Sequence, residues 1–79
     1  MTTKQLKRTL GEAPFRPFLV YLVDGRSLAV RHPELLSFEG GGRIAVIELE
    51  PGLAESIDVL MIVSVRPVDA APALPEQDN

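Results

Sequence analysis

Cysteine and tryptophan are absent from this chain, and histidine occurs once. Without thiols there can be no disulfide and no thiolate ligand for zinc. A single imidazole, His32, cannot supply the three or four ligands of a protein metal site, so no metal or other cofactor is expected. Long apolar runs are missing too. The longest, Phe18–Val23 and Val59–Val63, fall far short of the roughly 20 residues a spanning helix needs, so no membrane association is expected. Met1–Leu10 is polar and no apolar leader core follows it, so no secretory signal is expected. With the lack of cysteine, this points to a cytoplasmic protein.

What is present is globular. Hydrophobic residues make up 46% of the 79 residues and the net charge is -3, which separates the chain from disordered sequences. That length allows one domain. A domain of this size buries only about 60% of the surface its unfolded chain exposes. Its single core supplies roughly 3–5 kcal/mol. With disulfides and metals excluded, close packing or self-association must support it.

Charge is divided along the chain. Residues 1–31 hold six basic side chains against two acids, a balance of +4. Residues 32–79 hold two basic side chains against nine acids, a balance of -7. Solvated surface charge accounts for this in most proteins. The sharper alternative is a basic face that meets an acidic partner, including another copy of the same chain.

The first ten residues read as a short helix. Thr2 and Gln5 have capping-box spacing, Leu6 and Leu10 share one face, and Gly11 is placed to end the helix in a left-handed conformation. Two prolines, Pro14 and Pro17, then force an extended connector anchored by Phe15 and Phe18. Phe18–Val23 reads as a strand with apolar residues on both faces, one expected to fill the core and the other to be covered by the helix or by a second subunit. Asp24-Gly25 predicts a two-residue type I′ hairpin turn into Arg26–Val30. His32-Pro33-Glu34 interrupts the pattern, and Leu35–Phe38 resumes it as a short strand. Gly40-Gly41-Gly42 predicts a turn into the strand Arg43–Leu49, and Glu50-Pro51-Gly52 another turn.

In the last apolar segment, Ile57, Val59, Met61, Val63 and Val65 recur at period two, with Asp58, Leu60, Ile62, Ser64 and Arg66 on the opposite face, a strand signature for which a buried helix is the alternative. A kink near Leu60–Met61 is expected to split it. From Asp69 to Asn79 the chain has too little apolar surface to offset ordering, and it reads as a disordered tail.

Candidate chemistry is sparse. His32 and Glu34 could provide a general base, but loop shaping by His32-Pro33 explains them as well. Asp58, inside an apolar run, needs water or a donor, and Arg26, Arg31 or Arg43 could serve. No serine has the neighbours that activate a nucleophile. Gly40–Arg43 lacks the Gly-Lys-Ser/Thr ending of a phosphate loop. Lys4, Lys7 and Arg8 could touch nucleic-acid phosphates, although the chain is acidic overall and its few aromatics look like core residues. No catalytic set emerges, and the chain reads as a non-enzyme.

Pro14-Phe15-Arg16-Pro17-Phe18, Asp24-Gly25-Arg26, His32-Pro33-Glu34 and Ile57-Asp58-Val59-Leu60 occur in that order. Together they resemble a family of small uncharacterised bacterial proteins over about residues 1–68, a resemblance that implies a shared domain type and no activity. Tyr21–Gly25 and Ile62–Val68 also resemble the first-strand turn and the last strand of Sm-like (Hfq-type) barrels. That second resemblance implies a short helix followed by a small barrel. The Lys-His pair it would place near Leu60-Met61 for RNA contact is not there.

The resulting expectation is a mainly β domain over residues 1–68. An N-terminal α-helix would precede a five-stranded antiparallel Sm-like barrel, with a tail over residues 69–79. The function expected is protein–protein interaction or homo-oligomerisation, with Tyr21, Leu60 and Ile62 as the interaction surface. The alternative is RNA binding through Lys4, Lys7 and Arg8.

Overall fold

The computed structural model describes residues 1–69. Helix α1, Thr3–Leu10, begins as its sequence dictates. The Gln5 backbone N–H donates to the Thr2 hydroxyl, and the Thr2 N–H donates to the Gln5 side chain, closing the capping box. Its last turn carries Lys7 and Arg8, where they face the negative end of the helix dipole. Gly11 ends the helix with φ at -91°, not in the expected left-handed conformation. Its N–H reaches the carbonyls of Lys7 and Arg8 without that excursion. An eight-residue helix is not stable alone. It is held by Leu6, which is fully buried in the core, and by the Thr3 hydroxyl, which donates to the Gly42 carbonyl.

Six strands follow: β1 Phe18–Leu22, β2 Ser27–Val30, β3 Leu36–Glu39, β4 Ile44–Glu50, β5 Leu53–Asp58 and β6 Ile62–Pro67. They form two three-stranded sheets, ordered β2-β1-β6 and β3-β4-β5, with every pairing antiparallel. The expected closed five-stranded barrel is therefore corrected. Both interruptions legible in the sequence separate strands. Pro33 opens a 3₁₀ turn, Pro33–Leu35, that divides β2 from β3, because proline cannot donate to a ladder. A second 3₁₀ turn, Val59–Met61, divides β5 from β6 at the expected kink.

One core serves both sheets. Phe18, Val20 and Leu22 point inward from β1 to meet Leu28 and Val30 of β2, Ala45 and Ile47 of β4, and Ile57 of β5. Among the described residues no polar or charged side chain is buried. Phe15 and Phe18 anchor the connector as expected, edge to face with ring centroids 5.9 Å apart.

The first hairpin forms where Asp24-Gly25 predicts it, but with a different turn. Only Gly25 has positive φ, at +94°. The Gly25 N–H donates to the Leu22 carbonyl at 2.9 Å, and the Leu22 N–H to the Arg26 carbonyl at 2.8 Å. This is a three-residue loop with glycine at its left-handed position, the next most common solution to a tight hairpin. Val23 consequently lies in the turn and is exposed, not on a covered strand face.

The period-two reading of Ile57–Val65 is corrected as well. Ile57 and Val59 are buried, but the 3₁₀ turn then shifts the phase by one residue, so Ile62 points inward and Met61 outward. A second slip follows at once. Leu22 pairs with Ile62 and Tyr21 with Ser64, which leaves Val63 as a bulged, exposed residue. Val65 returns to the core side. The tail expectation lies outside the described residues except for Asp69, whose carboxylate pairs with Arg16 at 3.1 Å.

Candidate functional site

The Val59–Met61 turn organises the most unusual surface of the molecule. Asp58 precedes it, and its carboxylate accepts the Leu60 N–H at 2.9 Å, so the acid caps the turn. None of the arginines proposed as its partner forms an ion pair with it among the described residues. Two backbone bonds tie the turn in place. The Val59 N–H donates to the Arg43 carbonyl, and the Val23 N–H donates to the Met61 carbonyl, both at 2.9 Å. The second bond brings the β1–β2 turn alongside. Val23 and Met61 thereby line one groove, and Val23, Leu60, Met61 and Val63, at and beside the turn, are each more than half exposed, Leu60 at 79%.

Of the three residues expected to form an interaction surface, two have side chains that reach solvent. Leu60 is the most exposed large apolar residue of those described. Tyr21 is half-buried on the outer face of the first sheet, with the Arg66 guanidinium 5.8 Å from its ring centroid. Ile62 is corrected: it is only 1% exposed and belongs to the core, because the 3₁₀ turn reverses the face it points to. Val23, Met61 and Val63 were missed. Their exposure follows from a turn and a bulge whose hydrogen bonds join separate segments, and only the bulk of the Leu60-Met61-Ile62-Val63 run signalled it.

The groove that Val23 and Met61 line is open and runs between the β1–β2 turn and β5, with Leu22 and Ile57 among its other lining residues. Arg26 spans it. Its guanidinium contacts Asp24 at 2.9 Å and Glu55 of β5 at 2.7 Å. Asp24 also accepts the Arg26 backbone N–H at 3.0 Å. That N–H and then the guanidinium hold the Asp24 carboxyl below the usual carboxylate range. Glu55 and then Asp24 stabilise the charged guanidinium further. The three groups link the β1–β2 hairpin of one sheet to β5 of the other.

The other candidates stand apart. His32 and Glu34 are both exposed at the turn between β2 and β3, and neither lines the grooves that contain Asp58. Among the described residues no three His, Cys, Asp or Glu side chains are grouped as a metal site would require. On α1, Lys4 and Arg8 are exposed, while the Lys7 ammonium sits 5.3 Å from the Phe38 ring centroid. Gly40, Gly41 and Gly42 form the β3–β4 turn, all with positive φ. No helix among the described residues is long and apolar enough to cross a membrane. In comparisons with known proteins, no family model, curated protein or solved structure matches the chain.

Proposed function

We propose that this protein is a non-enzymatic association module that assembles with copies of itself through the surface around the Val59–Met61 turn. The observation that carries this reading is the exposure of four apolar side chains at and beside that turn, Val23, Leu60, Met61 and Val63, with Val23 and Met61 lining one groove. Exposed apolar surface of this kind marks interaction sites in small soluble domains. Strand edges lie beside it. β5 pairs only with β4, and β6 only with β1, so the outer edge of each is without a strand partner among the described residues. Free edges next to apolar side chains are suited to strand addition. A second copy is the occupant because a core of this size gains support from association and has neither disulfide nor metal to replace it.

The test is the mass of the full chain by size-exclusion chromatography with light scattering. Assembly above the monomer is expected at micromolar concentration. Leu60→Asp should raise the dissociation constant by about tenfold or more, since burying one leucine contributes roughly 1.5–3 kcal/mol. A strict monomer at every concentration would refute the reading.

A second reading is RNA binding through α1. One observation favours it: the basic side chains of that helix, Lys4, Lys7 and Arg8, are all exposed. Salt-sensitive RNA retention, weakened by neutralising Lys4, Lys7 and Arg8, would support it. No retention at low salt would remove it.

A further inference from the structure

Charge and apolar exposure coincide at two places on the molecule, with opposite signs. The first is the end where α1 begins. Gly42 accepts the Thr3 hydroxyl, and Arg43 next to it accepts the Val59 N–H. These bonds place Arg43 and Leu60 in one open groove with Met1, Thr2 and Thr3. Lys4 is exposed on the adjoining helix turn. The one carboxylate lining this groove, Asp58, accepts the Leu60 N–H and keeps its negative charge, so Lys4 and Arg43 leave the head with a balance of +1 beside an exposed leucine.

The second place is the tip of the β4–β5 hairpin. Glu50 pairs with Leu53 and Glu48 with Ala54, and the slip between them leaves Leu49 without a partner. Leu49 and Leu53 are 41% and 51% exposed between Glu48 and Glu50. No basic residue occurs between Arg43 and Arg66 to offset these acids. The tip is acidic with two exposed leucines.

We propose that copies of this chain meet head to tail, the acidic leucine-bearing β4–β5 tip of one docking against the basic end formed by Lys4, Arg43 and Leu60 of the next. This rests on the self-association reading above and specifies its geometry. The two surfaces lie at opposite ends of β4, which runs from Ile44 beside Arg43 to Glu50 at the tip. At a rise of about 3.4 Å per residue the separation is about 20 Å. A chain cannot satisfy its own pair. A twofold arrangement of tip on tip or head on head would juxtapose like charges, which is strongly disfavoured. Head-to-tail contact pairs opposite charges and covers Leu49, Leu53 and Leu60 together. Being heterologous, it closes into a ring or extends into a filament according to the rotation per copy.

Charge reversal tests this on the full chain by light scattering. One variant carries Lys4→Glu with Arg43→Glu, and the other Glu48→Lys with Glu50→Lys. All four side chains are at least partly exposed, and circular dichroism checks that each variant folds. Each variant alone should lose assembly, with its dissociation constant raised on the order of tenfold or more. Their equimolar mixture should recover it, because every reversed head then finds a reversed tip. Wild-type assembly should also weaken as ionic strength rises, a readout that needs no variant. Persistence of wild-type assembly in either variant, or a folded mixture that stays monomeric, would overturn the arrangement while leaving self-association intact. A wild-type chain that is monomeric at every salt concentration would overturn both.

Discussion

Gly42 has φ at +96°, and a Cβ added there would sit 3.1 Å from Thr3 Cγ2. Gly25 has nearly the same φ, +94°, with nothing within 4 Å of the added atom. The pair separates two effects of one substitution. Gly25→Ala should cost only the conformational strain, on the order of 1–3 kcal/mol. Gly42→Ala should cost that strain and also push Thr3 away, disturbing the hydroxyl bond that seats α1. Urea unfolding should therefore rank Gly42→Ala as the more destabilising of the two. Equal losses would mean that the contact with Thr3 contributes nothing. At this scale the glycine run was legible as a turn, but no local signal said that its third member would meet the N-terminal helix, 39 residues away in sequence.

The elements show where periodicity holds and where it fails. β1 buries Phe18, Val20 and Leu22 but leaves its second apolar face, Leu19 and Tyr21, only half covered, while the capping box starts α1 where Thr2 and Gln5 place it. The segment from Ile57 onward does not keep its phase. The 3₁₀ turn at Val59–Met61 and the bulge at Val63 each shift it by one residue, which exchanges Met61 for Ile62 in the core. Alanine substitution makes this measurable in dilute protein. Ile62→Ala should destabilise by about 2–5 kcal/mol through the cavity it leaves. Met61→Ala, at an exposed position, should stay within about 0.5 kcal/mol. The reverse ranking would restore the period-two reading.

For the whole molecule, the decisive feature is how the two sheets share one core while keeping free strand edges. Arg26 bridges the sheets through Asp24 and Glu55, and α1 is fastened to them through Leu6 and Thr3. The remaining exposed apolar surface is concentrated around the Val59–Met61 turn and the β4–β5 tip. Partner binding adds to the stability of the folded state in proportion to the logarithm of concentration. The thermal midpoint of this protein should accordingly rise with protein concentration, and Leu60→Asp should flatten that rise. A midpoint independent of concentration in the wild type would contradict self-association by a route separate from its mass. The charge division along the chain was visible in the sequence. Its placement at opposite ends of β4 was not, because the head assembles from α1, Arg43 and Leu60, three segments joined only by folding.

The sequence by itself determined what depends on neighbours a few residues apart: the capped helix, the rigid proline connector, the hairpin at Asp24-Gly25, the glycine turn and the break near Leu60. Each follows from backbone preferences and side-chain spacing that act locally. Tertiary structure alone decided the turn geometry at Gly25, the division into two sheets, the partner of Asp58, and which members of an apolar run face water. Those outcomes depend on hydrogen bonds between distant segments, such as Val23 to Met61 and Val59 to Arg43. Between those bonds the 3₁₀ turn moves the phase by one residue and exchanges Met61 for Ile62 in the core, until the bulge at Val63 returns Val65 to the core side.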